Sequence, residues 1–362
     1  MRQPMQKALL LPGSHQPFII EHVPLYTPGQ GEILIEIHAA ALNSTDWKIQ
    51  QSDGAALNFP AILGSDRAGE VIQIGEGVEN FKKGDRVVTI SRFVQNPWQG
   101  FQQFALADAV YTSKIPAKIS YDEASTISTG LTTAASGLFA EYPHGAGLTS
   151  PFAPETQGIH SGKPIMVIGG SSSVGQYAIQ LARLSGFTHI ITTASPMHEH
   201  YLKSIGATEV IDWTLEVSAV VLSVAKIITS QPIGVVYDTI GTLSGSTAQL
   251  GIAIINHFFA VTGEKGVLVT TDLLPATAEK AKKHEAVELA QVHAAIDGVW
   301  NQKLVEIIYQ EKLYGWLDEG LLKPNRFEIV KGGLAGVAEG LTRLQNHKIS
   351  GHKLVVHPQD TL

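Results

Sequence analysis

Pro164-Ile-Met-Val-Ile-Gly-Gly-Ser-Ser-Ser-Val-Gly175, followed by Gln176-Tyr-Ala-Ile-Gln-Leu-Ala-Arg-Leu-Ser-Gly186, decides the fold of this 362-residue chain. The apolar run Pro164 to Ile168 predicts a buried strand, and the stretch after the turn predicts a helix that stops at Gly186. In the turn, Gly169 and Gly170 permit a sharp bend and a close approach of backbone to a diphosphate, while Gly175 lets the helix lie close to the strand. The free N–H groups of the first helical turn (Ser173, Val174) and the positive end of the helix dipole favour an anion there. The hydroxyls of Ser171, Ser172 and Ser173 add donors. Serine stands where the strict G-x-G-x-x-G pattern has its middle glycine, so the weight of the reading comes from the strand before and the helix after.

Working outward, strands and helices alternate from Pro164 to about residue 298, through HIITTAS, EVIDW, GVVYDTI and GVLVTT. Such alternation predicts a parallel sheet covered by helices on both faces. In a nicotinamide site of this kind an acidic residue at the end of the second strand selects NAD by bonding the ribose hydroxyls. Here that strand ends in Thr193-Ala194-Ser195. With no carboxylate to repel it, a 2′-phosphate is received by Ser195, His198 and Lys203, and the cofactor expected is NADPH.

The length favours two domains. A net charge of −7 provides no footprint for nucleic acid, and no apolar run reaches the length of a membrane span. The absence of cysteine excludes disulfides, thiolate metal sites and a thiol nucleophile, and fits a reducing, cytoplasmic setting. Residues 1 to about 128 alternate apolar and polar positions around glycine turns, as in GEILIEIHAAAL, and read as mostly β. Towards the other end, KLVEIIYQEKLYGWLDEG reads as a helix stopped by Gly320, LAGVAEGLTRLQNHK as a second helix, and KLVVH as a last strand. His198-Glu199-His200 is the densest histidine cluster. Its spacing sends the two rings to different faces of a helix, so it reads as a solvated helix start, and no metal is expected.

Asn43-Ser-Thr-Asp-Trp-Lys48, Leu63-Gly-Ser-Asp-Arg-Ala-Gly69, Lys83-Gly-Asp-Arg-Val87, the glycine turn, Gly206-Ala-Thr-Glu-Val-Ile-Asp212 and Ser350-Gly-His-Lys-Leu-Val-Val356 follow one another in the order of a known family. On these motifs the whole chain resembles the medium-chain dehydrogenase/reductase superfamily, and within it the zinc-free, quinone-oxidoreductase-like members. It is closest to the fungal trans-acting enoyl reductases, which similarly carry Ser-Pro-x-x after the second strand, as in Ser195-Pro196-Met197-His198. The resemblance implies an α/β fold in which a Rossmann, doubly wound parallel sheet is inserted into a GroES-like, mostly β domain. The expected catalytic domain is 1–128 plus 299–362, and the expected NADPH-binding domain 129–298, with the cofactor in the cleft between them.

The zinc-containing relatives take metal ligands from a Cys-x-Thr-Asp turn and a Gly-His-Glu turn, which align here with Asn43-Ser-Thr-Asp46 and Gly64-Ser-Asp66. Cysteine becomes Asn43 and histidine becomes Ser65, so no Lewis acid is expected from this site. A nicotinamide enzyme without metal suits hydride delivery to an alkene already activated by a carbonyl, where hydrogen-bond donors stabilise the enolate oxygen. The resemblance places Thr45, Asp46, Trp47 and Lys48 at the cofactor, with Asp46 holding the turn. Lys48 is the first candidate for an essential residue, through cofactor positioning and charge.

By the same resemblance Ser128, Thr129, Gly130, Leu131, Thr132 and Ala135 line the substrate cavity, and Thr132 and Thr133 reach towards the carbonyl. Trp213, Thr239, Ile240, Thr270, Thr271, Val292, His293, Ile349 and Ser350 join Gly170 to Val174 around the cofactor. The expected activity is reduction of an enone, enal or enoyl thioester. The alternatives are a quinone oxidoreductase and a catalytically silent NADPH-binding protein. A carrier-bound substrate would call for a basic patch, for which Arg67, Lys82, Lys83, Arg86 and Arg92 supply charges. GVLVTTD and GIAIINHFFAV fall where relatives pair edge to edge, so monomer and homodimer both stand open.

Overall fold

The apolar run Pro164–Ile168 forms a fully buried strand, and Ser173–Leu184 forms the helix that follows the glycine turn. The computed structural model describes residues 4–53, 58–93, 95–229, 231–241, 245–293, 296 and 298–362. The chain divides into two units, Met1–Thr129 with Ala295–Leu362, and Gly130–Ala294.

The second unit is built on a six-stranded sheet. Its spatial order is Glu209–Asp212, His189–Ala194, Pro164–Ile168, Val235–Asp238, Gly266–Thr270 and Val287–Gln291, and every neighbouring pair is parallel. This is a doubly wound order, which reverses beside the first strand. A ligand site is expected outside the carboxyl ends of the strands there. Met166, Ile191, Val236 and Leu268 of the sheet pack with Val224, Ile252, Ile255 and Phe258 of two helices in one buried cluster.

The apolar stretch GIAIINHFFAV lies inside a 17-residue helix, Ser246–Thr262. GVLVTT is not an edge strand, because Gly266–Thr270 is flanked on both sides. The edge belongs to Val287–Gln291, which the sequence pattern left unassigned along with the helix Pro275–Ala281. An edge strand has one neighbour only, so polar residues such as Glu288 interrupt its apolar signal.

In the first unit Glu32–Ala41 is the central strand. It pairs antiparallel with Asp66–Ile74, with Phe104–Asp108 and with Lys353–Val356 from the far end of the chain. Ile33, Ile35, Ile37, Leu42, Val71, Val87 and Leu354 form the buried core. The expected C-terminal helix is interrupted: Val299–Ile307 and Leu313–Asp318 are α-helical, with a π-helical turn at Ile308–Lys312. From that turn the Gln310 amide donates to the carbonyls of Ala109, Val110 and Thr112. Among the described residues no helix is long and apolar enough to cross a membrane.

Candidate functional site

Each glycine of the 169–175 turn is required by what lies against it. Gly169 has φ +83°, and a Cβ on Gly170 would lie 2.1 Å from Thr192 Oγ1. A Cβ on Gly175 would lie 2.3 Å from the Gly169 carbonyl oxygen. Gly169 N–H donates to Thr193 Oγ1 and Gly170 N–H to the Thr193 carbonyl, which ties the turn to the neighbouring strand. The resulting cradle of backbone at a helix start fits a diphosphate.

One expectation changes here. Ser172 Oγ accepts from Gly175 N–H at 2.9 Å as the helix N-cap and lies 2.9 Å from Thr239 Oγ1, so its hydroxyl is engaged by the protein. Sequence reasoning also missed Gln176, which is buried, donates to the Ser171 carbonyl and accepts from Tyr201 Oη at 2.8 Å.

At the end of the second strand Ser195 is half-buried and Pro196 exposed. His198 is only 2% exposed, so it is not the solvated helix-start histidine that its neighbours suggested. The His198 ring belongs to the short 3-10 turn Pro196–His198, in which Pro196 and Met197 are exposed and His198 alone is buried. Lys203 is exposed and its ammonium is bound by Glu199, one helical turn earlier, at 2.9 Å. The Trp213 indole is exposed, and the Trp213 backbone N–H donates to the Ala194 carbonyl.

Asp238 is a further residue that the sequence reading passed over. It is fully buried at the carboxyl end of Val235–Asp238 and accepts from the N–H groups of Ile240 and Gly241 and from the hydroxyls of Thr247 and Thr270. Burial pushes its carboxyl up, against those hydrogen bonds. An acid closing an apolar strand at the crevice was the available signal. Thr239 is held by the Ile168 carbonyl, Thr270 is buried, and Val292 N–H donates to the Thr270 carbonyl. Ile240 and His293 are exposed and Thr271 is half-buried.

In the first unit the helix Ser44–Gln50 starts at Asn43. Asp46 accepts from Asn43 N–H at 2.8 Å and from Gly64 N–H at 3.3 Å. It is 2% exposed, so it holds the turn from inside and presents no surface of its own. Burial pushes its carboxyl up to about 7, despite those hydrogen bonds and the nearby Lys353. Thr45 and Lys48 are exposed. Trp47 packs on the core, with the Lys48 ammonium 5.9 Å from its ring, and its indole N–H is buried with no partner among the described residues.

Asn43 Nδ2 donates to Asp66 Oδ2 at 3.0 Å. The Lys353 ammonium donates to Asn43 Oδ1 at 2.6 Å and to Asp66 Oδ2 at 2.5 Å. A metal does not fit this set of donors: both ends of the Asn43 amide are used, the neighbouring cation is an ammonium, and the chain has no thiolate to offer. Among the described residues no group of three or more histidine and carboxylate side chains is arranged to hold a metal ion.

Thr129 N–H donates to Asp66 Oδ1 at 2.6 Å, at the start of the helix Ser128–Phe139. Ser128, Gly130, Leu131, Thr132 and Ala135 are buried, and the Ser128 hydroxyl is engaged by the Thr89 carbonyl. A Cβ on Gly130 would meet Ser173 Oγ at 2.5 Å, so close helix packing accounts for this glycine. Thr133 is 8% exposed, and its carbonyl accepts from Tyr237 Oη at 2.7 Å. Ile349 packs partly on the core and Ser350 is exposed.

The basic patch does not form from the residues named for it. Arg67 is fully buried, Arg86 is spent on the carbonyls of Pro116, Ala117 and Ile119, and Arg92 is paired with Asp108. Lys82 and Lys83 are exposed.

Residues 29–143 match the alcohol dehydrogenase GroES-like domain. A dehydrogenase of Aspergillus niger is 36% identical over 217 residues, covering 58% of this chain and 61% of that protein. The matched stretch is thus about three fifths of such a relative's length. A trans-enoyl reductase of Penicillium citrinum is 29% identical over 362 aligned positions, covering 92% of each chain. The crystal structure of an alcohol dehydrogenase superfamily protein from Novosphingobium aromaticivorans superposes with a TM-score of 0.75 at 22% identity, covering 97% of this chain and 99% of that one.

Proposed function

The chain belongs to the medium-chain dehydrogenase/reductase superfamily, and from that premise we propose that it is an NADPH-dependent, zinc-independent reductase of carbonyl-activated C=C bonds. The observation that carries this reading is the Lys353 ammonium bonded to Asn43 and Asp66, where metal-dependent relatives would present ligands. A substrate whose developing charge is an enolate can be served without a Lewis acid. Support for the substrate class comes from the Penicillium citrinum trans-enoyl reductase, which aligns over nearly the whole chain.

Bound NADPH would supply the hydride. The Gly169–Gly175 cradle would grip the diphosphate, and Ser195, which presents no negative charge, would leave room for a 2′-phosphate. Thr45 and Lys48, both exposed on the helix Ser44–Gln50, would steady the nicotinamide end and the growing negative charge. A solvent proton would complete the saturated product.

The test is NADPH oxidation with 2-enals, enones, enoyl thioesters and quinones, in the presence of a chelator and with products identified by mass. A saturated product from an alkene supports the reading. Turnover of quinones alone replaces it with a quinone oxidoreductase, and loss of activity on chelation removes zinc independence.

A further inference from the structure

Three motifs that are far apart in the chain meet at one buried ammonium. Lys353 is 4% exposed, Asp66 is fully buried, and both bond the same Asn43 side chain from opposite ends of its amide. The second oxygen of Asp66 takes the Thr129 N–H, so Asp66 serves two chain segments at once. Asn43 is the residue from which the helix Ser44–Gln50 departs, and its backbone N–H is held separately by Asp46.

We propose that Lys353 is a positioning residue, whose ammonium, locked between Asn43 and Asp66, sets the start of the helix that carries Thr45 and Lys48. Taking two charges out of water is costly, and an apolar pair would stabilise the fold as well or better. A charge-assisted hydrogen bond has a narrower geometry than apolar contact, so it specifies where Asn43 sits. With Asn43 held by its side chain and its backbone together, the first turn of the helix has one orientation, and Lys48 inherits it.

The experiment compares the parent with Lys353→Met and with Lys353→Met/Asp66→Asn, the second variant leaving no unpaired buried charge if the first fails to fold. Hydrogen exchange over Asn43–Gln51 is expected to quicken about ten-fold or more in the double variant, with the strand segment Ile33–Ile37 of the same core unchanged. In turnover assays, kcat is expected to fall about ten-fold or more while the KM for NADPH stays within about two-fold. Unchanged exchange over Asn43–Gln51, or an equal rise over Ile33–Ile37, overturns the proposal. The turnover arm rests on the reductase reading, whereas the exchange arm does not, so an inactive parent defeats that reading and leaves this proposal to be decided by exchange.

Discussion

Lys353 and Asp66, 287 positions apart, form a buried ion pair with Nζ 2.5 Å from Oδ2. Removing one member strands the other, so Lys353→Met alone is expected to cost about 3–5 kcal/mol, and the neutral double variant far less. Chemical denaturation of both variants checks this, and equal losses would show that the charge pairing is not the source of the effect.

Gly175→Ala tests the cradle. The new methyl would lie 2.3 Å from the Gly169 carbonyl oxygen, which is backbone and has no rotamer with which to yield. A loss of about 1–3 kcal/mol in stability is expected from overpacking. NADPH affinity, read by fluorescence titration, is expected to weaken at least about ten-fold, since the diphosphate grip depends on the same backbone.

Ser195→Asp tests cofactor choice. Ser195 is half-buried beside the end of His189–Ala194, and a carboxylate there would repel a 2′-phosphate and accept from ribose hydroxyls. The ratio of kcat/KM for NADPH over NADH is expected to fall by about ten-fold or more. An unchanged ratio would move the phosphate contact elsewhere.

Lys48→Ala separates catalysis from folding. Its side chain is exposed and free of ion pairs among the described residues, so stability is expected to change by no more than about 0.5 kcal/mol. Turnover is expected to fall about ten-fold to a hundred-fold, the scale of losing one stabilising charge. Full activity would remove Lys48 from the site.

Asp46 makes stability depend on pH. Its carboxyl is raised from 3.8 to about 7 by burial, so between those values the folded chain keeps a proton that the unfolded chain has released. The stability it contributes is complete below pH 3.8 and declines as pH rises towards 7, by up to about 1.4 kcal/mol per unit. In urea denaturation at pH 5 and pH 7.5, the parent is expected to lose more stability over this interval than Asp46→Asn. Parallel profiles would show that Asp46 keeps an ordinary pKa.

The glycine turn, the alternating strands and the mostly β N-terminal region were legible because each is a local pattern: three glycines at set spacing, apolar runs of strand length, polar and apolar residues in alternation. Asp46 as a turn-holder could be read the same way, three residues after Asn43 at a helix start. The edge strand Val287–Gln291 was lost because exposure dilutes its pattern, and the π-turn at Ile308–Lys312 because the three carbonyls that Gln310 satisfies lie some 200 positions away.

By itself, then, the sequence determined the alternating strands and helices that begin the parallel sheet, the three-glycine turn between Pro164–Ile168 and Ser173–Leu184, and the absence of cysteine. Tertiary structure alone decided that Ser172 caps a helix, that His198 and Arg67 are buried, and that Lys353 closes on Asn43 and Asp66. The division has one cause. Backbone periodicity and glycine geometry act over a few residues and are written in order, whereas burial and hydrogen-bond partnership depend on which distant segments the sheets bring together.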